Sequence, residues 1–430
     1  MLQSSPTPLA AADAPSRRPL DLLLLAALCA AIGNGISVVA FPWLVLENRG
    51  SVVDASIVAA AASLAPLIST LIAGAAVDSL GRRRISVLSD VLSGATVTAV
   101  PLIALVFGAE AFSVAVLAIL AALGAAFDPA GITARNSMLP EAADCAGWTL
   151  DRANGLYAAM IRVGYILGPG LAGLLITTVG VIDTMWVTAG TFAISIAAVT
   201  ILRVDGAGPP LPRDRPEQVW AGIVEGLKFV WDLPVLRTLV LVKLAIAGLF
   251  LPMQGVLFPK YFVDRNAPAQ LGWVLMALST GAVLGALAYP LLLRHITRRI
   301  MLAIGTVTLG ICTATIAFLP AFSMILLSTA LIGLACGPIE PIFNYTMQTK
   351  APQRLRGRVI GTMTSLAYSA GPLGFMLAGP LADAFGLQAT FLLLAIPMTL
   401  IGPILLSLPS LHELDRSTTP QAACSGVPQP

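Results

Sequence analysis

Charge is scarce in this chain of 430 residues: 11% are Asp, Glu, Lys or Arg, against 57% in the apolar set, and the mean hydropathy is +0.88. A soluble globular domain carries about a quarter charged residues, so the composition excludes one and points to lipid as the main solvent. Cysteine pairing is also lacking. Cys29, Cys145, Cys312, Cys336 and Cys424 show no CxxC or CxxH spacing, and neither a disulfide framework nor a metal centre is expected. No Walker A sequence or nucleophile elbow occurs, which leaves nucleotide drive and membrane catalysis without support; no catalytic residue and no cofactor is expected. The basic residues are scattered over short loops, so the net charge of +3 is no nucleic-acid patch.

What the chain does have is long apolar runs. A helix needs about 20 mainly apolar residues to cross a ~30 Å hydrocarbon layer. Twelve such runs stand between charged or turn-rich breaks: 20–46, 55–78, 85–107, 112–133, 154–177, 184–202, 236–258, 270–293, 300–319, 324–347, 359–382 and 390–407. Strands of a barrel would be about 10 residues long with alternating polarity, and a barrel is excluded. Arg17 and Arg18 before the first run suggest a secretory signal, but the run continues to Glu47, beyond the 7 to 15 apolar residues of a signal.

With the N-terminus inside, 20 of the 25 Lys and Arg fall on the cytoplasmic side, Arg135 and Arg152 among them; Arg49, Lys260 and Arg265 fall outside, and Arg162 and Lys243 lie within spans. That bias predicts a multi-pass protein of the plasma (inner) membrane with both ends in the cytoplasm. The chain then divides into a disordered start (1–19), a first six-helix half (20–202), a cytoplasmic linker (203–235), a second half (236–407) and a disordered tail (408–430). Within the linker, Trp220, Ile223, Val224, Leu227 and Trp231 recur at helical spacing, as in a helix lying on the membrane face. Internal repetition supports two halves. Pro129 and Met138 are echoed by Pro338 and Met347 at an offset of 209, and Gly168-Pro169 by Gly371-Pro372 at an offset of 203. Two similar halves around a central path are how many transporters provide alternating access.

Between spans 2 and 3 stands Gly74-Ala-Ala-Val-Asp78-Ser-Leu-Gly81-Arg82-Arg83-Arg84. A topology anchor alone explains the arginines but not two glycines and an acid at that spacing. Span 5 carries Gly164-Tyr-Ile-Leu-Gly168-Pro169-Gly170-Leu-Ala-Gly173, where the glycines clear one helix face and Pro169 frees a carbonyl. Ordinary close packing is the plainer alternative. The first stretch resembles the loop signature of the major facilitator superfamily, and the second resembles the antiporter signature of its drug exporters. Similarity extends through Gly33 to Leu46, Asn136 to Ala143, Val256 to Phe262 and Thr364 to Gly374. The resemblance implies an all-α membrane protein of twelve helices in two pseudo-symmetric halves. It makes Asp78 the acid of a cytoplasmic latch, with Arg82 and Arg83 as its basic companions, and sets span 5 against span 8, where Gly281 and Gly285 offer a small face. It also implies proton-coupled export of drug-like molecules, with tetracyclines and aminoglycosides as the expected classes, by a monomer in contact with membrane lipid. Pumps of this group often have an acid in mid-span 1; here it is Asn34, kept as a candidate cavity residue.

Charged groups inside spans are costly and mark function by default. Asp90, Asp128, Arg162, Lys243 and Glu340 qualify. Asp90 and Asp128 lie within ~8 Å of the inner boundary at 1.5 Å per residue, close enough to be end groups. Glu340, between Pro338 and Pro341, is the first candidate for the coupling proton, with Asp128, on the repeat-related helix and also next to a proline, as the second; pairing with Arg162 or Lys243 is the structural alternative. An importer or uniporter on the same fold, and a lipid flippase, are the rival functions.

Overall fold

The computed structural model describes residues 16–202, 224–225, 227–318, 321–350 and 356–414; the side chains of 68, 70–80, 109, 348, 356–364, 367–368 and 413 lie outside the description. Helix accounts for nearly everything described. The elements are α1 (Arg18–Arg49), α2 (Val52–Leu80), α3 (Arg82–Phe107), α4 (Val114–Cys145), α5 (Leu150–Val179), α6 (Val181–Ile201), α7 (Pro234–Val263), α8 (Pro268–Leu292), α9 (Arg298–Ala317), α10 (Phe322–Met347), α11 (356–385) and α12 (387–407). The last two are divided at Gly386, whose φ of 78° only glycine adopts without strain. Ten stretches are long and apolar enough to cross a membrane; one of them, Ser369–Ser407, holds both α12 and most of α11, and Val52–Leu67 adds a shorter run. Large apolar side chains such as Leu105 and Leu287 are 74% and 70% exposed, which suits lipid and not water.

Three helices are interrupted where the backbone chemistry requires it. In α4 the helix breaks at Phe127, because Pro129 has no N–H to give to the preceding turn. Ser89 Oγ and Ser93 Oγ of α3 donate instead to the carbonyls of Phe127 and Gly124, at 2.8 and 3.0 Å. The related break in α10 falls at Gly337-Pro338. In α7 a π turn, Met253–Leu257, stands between Pro252 and Pro259.

The expected spans match these helices, with one difference of consequence. The fourth helix runs on to Cys145 and carries Arg135 with it, 3% exposed inside the first half, so Arg135 is no loop residue counted toward orientation. A short 3-10 turn, Pro409–Leu414, also stands where a disordered tail was expected; Leu411 and Leu414 are buried and Arg298 Nη1 donates to the Leu414 carbonyl at 3.1 Å. Of the linker helix, Trp220 and Ile223 fall outside the described residues, as do 1–15, 203–223 and 415–430, while Val224, Leu227 and Trp231 are exposed on one face.

Buried apolar side chains show how the halves meet. We call the end holding Ser16 and Leu414 the near end. There, Leu23, Met138 and Tyr157 belong to a cluster of first-half residues, and Leu236, Phe343 and Leu411 to a separate cluster of second-half residues. Toward the far end a single cluster draws on both halves, including Leu44, Val58, Phe258, Leu271 and Phe391. Among the described residues, then, the halves share a core at the far end and separate toward the near end.

Candidate functional site

Between the halves lies a cavity of about 530 Å³. Its walls come from α1 to α6 on one side (Asn34, Ala59, Ser93, Asp128, Tyr165 and Phe192 among them) and from α7, α8 and α11 on the other (Gln254, Ser279, Phe375). Apolar and aromatic surface dominates, with a few polar groups to orient a ligand. Asp128 is the only ionisable carboxylate among the described lining residues. Ser93 Oγ lies 3.3 Å from its Oδ1, and the Asn34 side chain interacts with it from α1. Asn34 is therefore where expected, against the cavity and the acid of α4.

Glu340 is held differently. Lys243 Nζ of α7 sits 2.7 Å from its Oε1, and the same ammonium lies over the Phe343 ring at 5.0 Å. The Glu340 side chain is 52% exposed. Lys243 and Asn34 differ by the same offset of 209 as the repeated prolines, whereas Glu340 and Asp128 differ by 212, so the two acids stand about one turn apart on repeat-related helices: one pair on α1 and α4, the other on α7 and α10. Arg162 is exposed on the face of α5 that also bears Tyr165 and Pro169, and makes no ion pair among the described residues.

Asp90 is not an end group. It is 3% exposed by side chain and receives Arg135 Nη1 on both oxygens, at 2.9 and 3.0 Å, while Ser195 Oγ of α6 donates to its Oδ2 at 2.6 Å. Nothing in the sequence pairs two residues 45 positions apart, and a fourth span ending at 133 leaves Arg135 among the loop residues.

Of the loop signature, Gly74 and Asp78 have side-chain positions outside the described residues. Gly81, with φ of 88°, breaks the chain before α3 in a conformation that favours glycine. Arg82 Nη1 contacts Glu141 Oε1 at 2.6 Å and the Ser137 carbonyl at 2.9 Å. Arg83 donates to the carbonyls of Val199 and Thr200 at the C-terminus of α6, where a cation complements the helix dipole. Both contacts lie inside the first half. Glu141, missed in the sequence, had only its place one turn past Ser137 to signal it.

The α5 glycines serve two seams. A Cβ on Gly164 would lie 2.5 Å from Ala31 Cβ and one on Gly168 2.7 Å from Gly35 Cα, both on α1 of the same half. Gly170 and Gly173 face α8 of the other half: a Cβ on Gly170 would overlap Met276 Sδ, and one on Gly173 would lie 2.6 Å from the Pro268 carbonyl oxygen. Pro169 lines the cavity and its carbonyl is what a Cβ on Gly272 would meet. Spans 5 and 8 thus touch as expected, but through Pro268, Gly272 and Met276. Gly281 and Gly285 pack on α10, against Ala330 and Leu334, because α8 turns its near-end half toward its own bundle.

The sequence matches the family profile described as Major Facilitator Superfamily over residues 23–375 and 253–423. It is 60% identical over 404 residues to the multidrug efflux pump Tap of Mycolicibacterium fortuitum, covering 94% of this chain and 99% of the relative. To Tap of Mycobacterium tuberculosis (strain ATCC 25618 / H37Rv) it is 54% identical over 407 residues, covering 95% and 97%. The solved structure of the nucleoside transporter NupG superposes with a TM-score of 0.73 at 12% identity, over 91% of this chain and 99% of that one, a likeness of fold alone.

Proposed function

The chain belongs to the Major Facilitator Superfamily, and from that premise we propose that it is a proton-coupled antiporter exporting drug-like small molecules by alternating access. The observation that carries this reading is the cavity walled by both halves with Asp128 in its lining. Apolar and aromatic walls suit bulky amphipathic molecules, and a carboxylate in such a wall can take up a proton or hold a cation as the cavity opens to each side. Identity to the Tap pumps supports drugs as the class, with tetracyclines and aminoglycosides the first to try. The near end, which bears Arg82, Arg83, Arg298 and Arg299, is the cytoplasmic one on this reading. The chain acts as a monomer in lipid.

We assign the coupling proton to Asp128 ahead of Glu340. Lys243 at 2.7 Å already supplies Glu340 with a counter-charge, whereas Asp128 faces the neutral Asn34. One proton moving down 100 mV yields about 2.3 kcal/mol, enough for a gradient of roughly fifty-fold. In everted vesicles with an imposed proton gradient, the chain should accumulate tetracycline and a protonophore should abolish the accumulation. Gradient-independent equilibration would favour a uniporter, uptake in the opposite sense an importer, and lipid scrambling without drug movement a flippase.

A further inference from the structure

The cavity acid does not stand alone in its half. We propose that Asp90 and Arg135 are charge-balancing residues of the proton site: Asp90 and Asp128 share the single guanidinium of Arg135, leaving one uncompensated negative charge that one proton neutralises. The inference rests on Asp128 as the proton carrier.

Asp128 and Arg135 are seven residues apart on α4 and so share a face. A long helical side chain points back toward its helix N-terminus, which brings the guanidinium toward Asp128. Gly131 between them confirms the path: a Cβ there would lie 3.4 Å from Arg135 Nη2. The guanidinium has capacity to spare. Its three hydrogen bonds, to Asp90 Oδ1, Asp90 Oδ2 and Ser86 Oγ, all leave from Nη1, and its Nε is buried without a partner.

Among the described residues, the groups that face this cluster bring no second cation. They are Asn34 and Cys29 from α1, Ser86 and Ser93 from α3, Tyr157 from α5 and Ser195 from α6. A net charge left without water costs several kcal/mol, so a site closed to both sides is stable only when two acids and one guanidinium hold one proton. Asp90 and Arg135 are sealed, at 3% and 4% exposure, while Asp128 lines the cavity. The proton therefore enters and leaves at Asp128: hydronium gives up a proton to form its carboxyl O–H, and that bond breaks to water on the other side. Asp90 sets the count at one.

The test uses the full chain in lipid nanodiscs, with tetracycline as the probe and a pH-sensitive dye in weakly buffered medium to count protons released on binding. Wild type should release about one proton per tetracycline bound within a single pH window. Asp90→Asn should bind tetracycline and release none, because Asp128 and Arg135 then balance each other; the double change Asp90→Asn with Arg135→Gln should restore release, since Asp128 is again uncompensated. Removing both members of a buried pair is often tolerated, so the double variant stays informative. Ser195→Ala, which removes the 2.6 Å donor to Asp90 together with the 3.1 Å contact to the Ala26 carbonyl, should move the midpoint of release to higher pH, since the ionised cluster loses a hydrogen bond. Release in Asp90→Asn equal to wild type, an unmoved midpoint in folded Ser195→Ala, or a double variant as silent as the single would each overturn the inference. A wild type that binds or releases nothing overturns the export reading instead.

Discussion

The two halves carry the same skeleton and opposite electrostatics. On α1 and α4, Asn34 faces Asp128 with Ser93 alongside; on the repeat-related helices α7 and α10, Lys243 faces Glu340 at 2.7 Å. Asp128 immediately precedes Pro129, where α4 breaks, and Glu340 lies two residues past Pro338, where α10 breaks. Glu340 has the Lys243 ammonium as its partner and is half exposed. Asp128 has the neutral Asn34 beside it, and on the proposed reading it shares the Arg135 guanidinium with Asp90 and changes charge as water comes and goes. A shared fold thus supplies two related acids about one turn apart, and on the proposed reading the residue on the facing helix decides which one carries the proton.

The largest effect should come from breaking the first half's acid. Asp128→Asn keeps size and polarity but cannot titrate, so uphill efflux should fall by roughly fifty-fold, the whole of what one proton supplies at 100 mV. Drug exchange without a gradient should persist. The measurement is driven accumulation beside counterflow in vesicles, and uphill pumping by Asp128→Asn would return the assignment to Glu340.

Next comes imposing the second half's logic on the first. Asn34→Lys gives Asp128 a local cation and should cost about tenfold in driven efflux, one unit of proton affinity or more. The reverse change, Lys243→Asn, should matter less. Its partner is 52% exposed, and pairs that reach water contribute about 0 to 1 kcal/mol, so a loss of no more than about fivefold is expected. Equal effects of the two changes in the same vesicle assay would dissolve the contrast.

The glycines of α5 sharpen the comparison between what holds a half together and what joins two. Gly164→Val inserts bulk between α5 and α1 inside one half and should lower stability by about 1 to 3 kcal/mol. Gly173→Val inserts it between α5 and α8, where the halves must part and meet again, and should spare stability more than it spares turnover. Thermal unfolding measured beside transport separates the two, and a Gly173→Val variant that merely unfolds would count against a moving seam.

Periodicity and length made the twelve helices legible, since a span is a local property of about 20 residues. Offsets of 209 and 203 gave the two halves for the same reason. Partnership between helices was not legible. Glu340 had two possible cations, and only packing chose Lys243 over Arg162. Asp90 looked like an end group because the polar tail of α4, from Asn136 to Cys145, reads as loop when hydropathy alone ends a span; the helix continues there on the near-end core. Gly281 and Gly285 were rightly read as a small face but given to the wrong neighbour, because a small face carries no address.

The smallest expected effect concerns the loop signature. Resemblance makes Arg82 a companion of Asp78, whose side chain lies outside the described residues; among those described, Arg82 contacts Glu141 on α4 at 2.6 Å. The two side chains are 34% and 31% exposed, so water screens the pair and a coupling of about 1 kcal/mol or less is expected. Arg82 has a second bond, to the Ser137 carbonyl, which persists when Glu141 is neutralised. Glu141→Gln should therefore leave unfolding within about 1 kcal/mol of wild type and change efflux by less than about threefold. Arg82→Gln removes both bonds and should cost more. A double-mutant cycle over Arg82→Gln and Glu141→Gln isolates the shared part. If the cycle gave a coupling of several kcal/mol in transport but not in unfolding, the pair would open and close with the cavity, and the near-end latch would have to include Glu141.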